Sequence, residues 1–170
     1  MRLLTGLTAA RLRFLFHYNP ETGRWTVLRV DGGTGNPRQP GQLMPRRKYR
    51  GGFEVDGQKY VTSRLAWLYM TGEWPALDVD HANGDPTDDR WENLRHATRR
   101  QNNGNAKKRR DNTSGIKGVH WDRERKKWFV AINDAVGHRR ALGRYKSLEE
   151  ARLVYEKASV ALFGEFARHD

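Results

Sequence analysis

Residues 79–105, VDHANGDPTDDRWENLRHATRRQNNGN, decide how this chain is read, because only here does a metal-capable carboxylate stand beside a histidine with asparagines placed regularly after it. Asp80 and His81 follow the apolar Leu77 and Val79, and a loop rich in Gly, Asp and Pro comes next. Asn93 opens a second strand-like run, NLRHAT, and Asn102 falls in the helix expected after it. A strand, loop, strand and helix of this length can set a base, an orienting amide and two oxygen ligands around one small cleft. Those groups suit phosphodiester cleavage. The Asp80 carboxylate and the Asn102 amide oxygen are hard donors of the kind divalent cations prefer. The imidazole of His81, with an ordinary pKa of about 6.5, can take a proton from water near neutral pH. Taken alone, an adjacent Asp-His pair is more often a surface turn than an active site.

Three blocks in order, DHANGD at 80–85, DRWENLR at 89–95 and QN at 101–102, resemble the HNH nucleases, specifically the branch found in phage and intron homing endonucleases. The resemblance implies that His81 is the general base, that Asp80 and Asn102 bind the metal, and that Asn93 fixes the loop bearing His81 and so counts with it as catalytic. It also implies a divalent cation, Mg²⁺ with Mn²⁺ as a substitute, and no other small-molecule cofactor. The expected activity is a metal-dependent DNA endonuclease. One such centre cuts one strand, so a nicking monomer in the cytoplasm of a phage-infected bacterium is expected. A reading from another class is a non-catalytic DNA-binding transcriptional regulator built on a degenerate HNH scaffold, and the intact set of four residues speaks against it. A third, an RNA-directed nuclease, rests only on the basic linker.

Composition agrees with a polyanionic partner. The 170 residues carry 32 Lys and Arg against 20 Asp and Glu, a formal charge of +12, and such a balance favours nucleic acid, here double-stranded DNA. No cysteine is present, which excludes disulfides and Cys-ligated zinc. The first apolar run, Leu12 to Phe16, is short and broken by arginine, so neither a secretion signal nor a membrane span is expected.

In chain order, residues 8–17 read as a short helix with Thr8 as its N-cap. Asn19 to Gly23 reads as a turn, Trp25, Val27 and Val30 as a strand, and Gly32 to Gly41 as a loop. Arg46, Arg47, Lys48 and Arg50 form a basic cluster, either solvated or touching DNA backbone. Phe53 to Val55 and Lys59 to Val61 flank Asp56-Gly57, turn chemistry that reads as a hairpin. A helix from Ser63 to Gly72 follows, with Trp67 and Leu68 assigned to the core. From Arg95 to Arg110 there are seven cations and no acid: Arg95, Arg99, Arg100, Lys107, Lys108, Arg109 and Arg110. Beside a candidate nuclease these are expected on phosphates, with binding that weakens steeply in salt. His96 is expected either near the phosphate or as a structural residue, and His17, His138 and His169 at the surface.

Residues 114–170 read as a second unit of three strands, 118–121, 127–133 and 139–145, and one helix. That helix has Ser147 and Glu150 spaced as a capping box, an apolar face from Leu148 to Leu162, and Gly164 to end it. Trp128, Val130 and Ile132 are expected on the core face of the middle strand. SGIKGVHW, KWFVAI, LGRYKSLEEA and ALFGEFA resemble the apetala-two, or ethylene-response-factor, DNA-binding domain. That resemblance implies a sheet lying in the major groove, with contacts from Lys117, His120, Arg123, Arg125, Lys127, Arg139 and Arg144. Ala141 and Ala131 stand where the plant members carry Trp and an acidic group, so base preference does not carry over.

The expected class is α+β. A mixed α/β segment (1–76) precedes a small ββα-metal nuclease unit (77–106) and a basic linker (107–113), and a three-stranded antiparallel sheet packed on one helix (114–170) closes the chain.

Overall fold

A computed structural model describes residues 6–29, 38–45, 51–134 and 137–169. The expected basic cluster at 46–50 and the end of the expected strand at Val30 lie outside the described residues. The architecture is α+β, and the chain divides into two compact units, 1–96 and 97–170. Among the described residues no helix is long and apolar enough to cross a membrane.

In the first unit, α1 (Ala9–Leu15) starts where the sequence says it should. The Thr8 hydroxyl accepts from the Arg11 amide at 3.2 Å. It ends earlier than the expected residue 17, because β1 (Phe16–Asn19) begins at once and turns Phe16 and Tyr18 inward. Buried aromatic residues on alternating positions fit a strand better than a fourth helical turn. β1 pairs antiparallel with β2 (Arg24–Val27), with Phe16 opposite Val27 and Asn19 opposite Arg24. The Asn19 carboxamide oxygen closes the connecting turn by accepting from the amides of Glu21 and Thr22, each at 3.0 Å.

β3 (Gly52–Val55) and β4 (Gln58–Val61) form the second hairpin. Asp56 and Gly57 both have positive φ, 50° and 81°, as a primed turn demands. α2 (Thr62–Thr71) follows directly and stops at Gly72 with φ 87°. Its Leu65, Ala66 and Leu68 enter a core with Leu12, Leu15, Phe16, Tyr18, Trp25, Val27, Phe53 and Val55. Rings of Phe16, Trp25 and Phe53 meet at 4.8 to 6.5 Å, and each such side chain contributes about 1.5–3 kcal/mol by leaving water. β5 (Asp78–His81) and β6 (Leu94–Ala97) make a further two-stranded sheet.

The second unit begins with α3 (Arg99–Asn105). Thr98 and Gln101 form a reciprocal capping box at its start. β7 (Val119–Asp122), β8 (Lys127–Asn133) and β9 (Arg139–Tyr145) build an antiparallel sheet in that order. α4 (Leu148–Phe163) packs on it, capped by the Ser147 hydroxyl and ended by Gly164 at φ 56°. Val130 and Ile132 are buried against Ala151 and Tyr155, with Trp128, Val154, Ala158 and Leu162 half-buried around them. The helix face is wider than its sequence stripe, since Ser159 and Phe163 are buried too. Gly118 is needed where it stands: its φ is 73°, and a Cβ there would lie 2.2 Å from the Tyr155 ring and 2.5 Å from the Ala131 carbonyl oxygen.

Candidate active site

The β5–β6 sheet carries the Asp-His pair, and strand alternation sends the two side chains to opposite faces. Asp80 is 5 % exposed, and its Oδ2 accepts from Arg95 Nε of β6 at 3.0 Å. Arg95, expected on phosphate, thus has its guanidinium on the carboxylate expected to bind metal. His81 faces the loop that joins the strands. Its Nε2 lies 2.9 Å from Oδ1 of Asp89, a residue only 7 % exposed.

The loop is held by its own polar side chains. Asn93 is the last residue of a 3₁₀ turn (Trp91–Asn93), not the first of the strand as the sequence suggested. Its backbone carbonyl accepts from the Ala82 amide at 2.9 Å. Its side-chain oxygen accepts from the Asn83 amide at 3.0 Å, and its Nδ2 donates to Asn83 Oδ1 at 3.1 Å and to the Asp88 carbonyl at 2.7 Å. One buried carboxamide therefore ties the residues just after His81 to the far side of the loop. Asp85 stabilises the turn between them, accepting from the amide and hydroxyl of Thr87. Asp88 takes a two-pronged contact from Arg90, both bonds 2.8 Å, and a third from Asn83 Nδ2. The Arg90 guanidinium holds the Asp88 carboxyl down to about 2, with Asn83 adding to the effect.

The first hairpin braces this loop. The Tyr18 hydroxyl donates to the Asp89 carbonyl at 2.5 Å, and the Trp91 amide donates to the Pro20 carbonyl at 2.9 Å. Burial, joined by the charges of Asp89 and Asp88, pushes the Tyr18 phenol well above its ordinary range, so it stays a donor. Gly23, at φ 66°, lets the turn come so close that a Cβ would sit 2.6 Å from the Asp89 carbonyl carbon and 2.7 Å from the Arg90 nitrogen. Asp89, Tyr18 and Gly23 went unnoticed in the sequence. The DRWENLR block contains Asp89, but nothing in its spacing from His81 announces a contact across eight residues.

Trp67, read as core, is half-buried and stacks on His96, with ring centroids 3.8 Å apart and planes at 19°. The Trp91 ring also meets that of Trp67, with centroids 5.0 Å apart. His96 is thus a packing partner of α2 on β6. Asn102 lies on α3, in the second unit, and is half-buried.

The cations of the second unit that were expected on DNA sit in several settings. On the sheet face away from α4, Phe129 is ringed by His120, its ring centroid 5.0 Å away, and by the guanidinium groups of Arg144 at 4.7 Å and Arg139 at 5.6 Å. Asp122 accepts from Arg144 Nε at 2.9 Å and also faces Arg125 at 3.5 Å. The Arg144 contact, first, holds the Asp122 carboxyl below its ordinary range. Arg123 is exposed and Lys127 half-buried. Arg99, Lys107, Lys108, Arg109 and Arg110 are exposed, and Lys108 also donates to the Gly115 carbonyl. Two others are engaged inside the unit. Lys117 Nζ donates to the carbonyls of Asn103, Gly104 and Ala106, at 3.2, 2.8 and 2.7 Å, and so caps the end of α3. Arg100 lies 5.9 Å over the Phe163 ring. His169, expected at the surface, is half-buried and lies 2.8 Å from the hydroxyl of the buried Ser159.

The HNH endonuclease family model matches residues 60–104. The chain is 36 % identical over 103 residues, 60 % of its own length and 84 % of the relative's, to "Protein 3.8" of Escherichia phage T7. No solved structure matches significantly. With most of that relative covered, and an HNH endonuclease domain spanning the very segment that positions His81, the chain belongs to one family with the phage T7 protein.

Proposed function

We propose that the protein is a metal-dependent endonuclease that hydrolyses phosphodiester bonds in double-stranded DNA, one strand per event, as a monomer. The observation that carries this reading is the His81 ring, hydrogen-bonded through Nε2 and set on a loop locked by Asn93 beside a buried Asp80, inside the segment matched as HNH endonuclease. His81 accepts the proton of the attacking water. The water oxygen bonds to phosphorus, the bond to the 3′ oxygen breaks, and that oxygen is protonated from solvent.

Asp80 and Asn102 are the groups that would hold the cation. Among the described residues no cluster of three or more His, Cys, Asp or Glu could hold a metal. The carboxylate and the amide oxygen are each hard donors of the type Mg²⁺ and Mn²⁺ take, and such ions keep water and phosphate in the rest of their shell. When bound there, the cation supplies charge stabilisation at the phosphoryl and leaving oxygens. Asn93 orients the loop, and Asp80 is itself oriented by Arg95.

The second unit supplies affinity. Its free sheet face, with Phe129 surrounded by His120, Arg139 and Arg144, is suited to enter a major groove as an apetala-two-like surface. The exposed Lys107 to Arg110 run meets backbone phosphate. A tethered binding unit raises the concentration of nuclease at DNA. The domain boundaries at 76, 106 and 113 belong to this same reading.

The test is conversion of supercoiled plasmid to open circles by the full chain in Mg²⁺, Mn²⁺ or EDTA, with His81→Ala beside it. Metal-dependent nicking that His81→Ala loses is expected. Equal cutting by both proteins would refute the assignment of the base.

A further inference from the structure

We propose that Asp89 is the positioning residue of His81: its carboxylate holds the ring as the Nε2–H tautomer, so that the lone pair that accepts the proton lies on Nδ1. The inference rests on the nuclease reading for its consequence in catalysis, but the contact itself stands on geometry.

A carboxylate can only accept a hydrogen bond. At 2.9 Å from Oδ1 of Asp89, Nε2 must therefore be the donor. A neutral imidazole carries one N–H, and with it on Nε2 the basic lone pair is on Nδ1. The pair is largely out of water, with side-chain exposures of 15 % for His81 and 10 % for Asp89. In the step itself an O–H bond of water breaks, its proton passes to Nδ1, the O–P bond forms, and the bond to the 3′ oxygen breaks. Nε2 keeps its hydrogen throughout.

The chain spends backbone contacts on keeping Asp89 where it is. Tyr18 donates to its carbonyl, the Gly23 turn lies against its carbonyl carbon, and Pro20 receives the amide of Trp91 two residues on. Asp88, its neighbour, is turned the other way and serves Arg90 and Asn83. Two consecutive acids thus have separate tasks. The first closes the loop, and the second faces the base.

The experiment uses the full chain labelled with ¹⁵N, as wild type, Asp89→Asn and Asp89→Ala. Long-range ¹H–¹⁵N spectra of the histidine rings at about pH 8.5, where an ordinary histidine is neutral, report the tautomer of His81 directly. The expected wild-type signal is protonated Nε2 with an unprotonated Nδ1. Asp89→Asn is nearly isosteric and keeps the Tyr18 and Gly23 contacts, and its amide spectrum checks the fold. In it the ring is expected to populate the Nδ1–H form, and kcat for plasmid nicking in Mg²⁺ to fall by about 10²–10⁴-fold with KM little changed, as for other bases that lose an orienting carboxylate. A structural role alone would not move the tautomer. An Nδ1–H signal in wild type overturns the proposal, as does an Asp89→Asn protein that keeps both the Nε2–H signal and the wild-type rate. An Asp89-dependent tautomer in a wild type that cleaves no DNA supports the contact and sinks the nuclease reading instead.

Discussion

Removing the Asn93 side chain tests how the loop over His81 is held. Three hydrogen bonds end on its carboxamide: one accepted from the Asn83 amide, one donated to Asn83 Oδ1 and one donated to the Asp88 carbonyl. Asn93 is 6 % exposed, so the partners on its buried side are not simply handed to water. A buried group left unmet costs about 1–3 kcal/mol. Asn83 is exposed, and solvent can meet its N–H. The expected cost of Asn93→Ala is therefore about 2–3 kcal/mol, one full penalty and part of a second. Asn93→Asp is the sharper variant. It keeps an oxygen for the Asn83 amide but sets its other oxygen against two acceptors, Asn83 Oδ1 and the Asp88 carbonyl. It should be at least as unstable as the alanine variant. Because the chain has two units, urea unfolding is followed by NMR at individual amides of the first unit. With a slope of about 1–3 kcal/mol per molar, the midpoint should fall by about 0.7–3 M. Midpoints within about 0.3 M of wild type for both variants, or an aspartate variant more stable than the alanine one, would refute the account of the loop.

Two further outcomes follow from the charges. Arg95→Gln removes the cation paired with the buried Asp80 and should cost about 3 kcal/mol, the low end for such a pair because Arg95 keeps 21 % of its side chain exposed; saturating Mg²⁺ should restore about 2–3 kcal/mol of it in a melting experiment, and a variant whose melting ignores Mg²⁺ would count against Asp80 as a ligand. The Asp88 carboxyl, held down to about 2 by Arg90, has a folded pKa below its unfolded one, so its contribution is complete above about pH 4 and is lost as pH falls through about 2. Acid titration of stability should flatten in that window in Asp88→Asn, and an unchanged curve would mean that the Arg90 pair does not act in solution.

Much of the fold could be read from local signals. Asp56-Gly57 between β-prone runs, Gly72 after an apolar helix, and Ser147 ahead of α4 each solve a backbone problem within four residues, and the structure uses them so. α1 was overextended for a reason of the opposite kind. Phe16 and Tyr18 suit a helix face as well as a strand, and the choice is made by Val27 and Trp25 across the hairpin, outside any local window. Lys117 looked like one more cation of a basic face. What fixes it instead is the end of α3, three carbonyls lying 11 to 14 residues earlier in the chain.

The candidate site divides along the same line. Asp80, His81 and Asn93 stand out because their residue types are chemically suggestive, and a family resemblance can carry such types from chain to chain. What aims them is not of that kind. The carbonyl of Asp89 is held by a tyrosine 71 residues earlier, and the loop can approach the first hairpin only because position 23 has no Cβ. Neither Tyr18 nor Gly23 is a reactive group, and in sequence they read as a strand residue and the end of a turn. Their effect appears only as a position, a carboxylate oxygen 2.9 Å from Nε2. A displacement of about 1 Å at such a group can cost a hundredfold in rate. The first hairpin is therefore as much a determinant of what His81 can do as the block that contains it, and a substitution there should be judged by the His81 ring rather than by the hairpin's own stability.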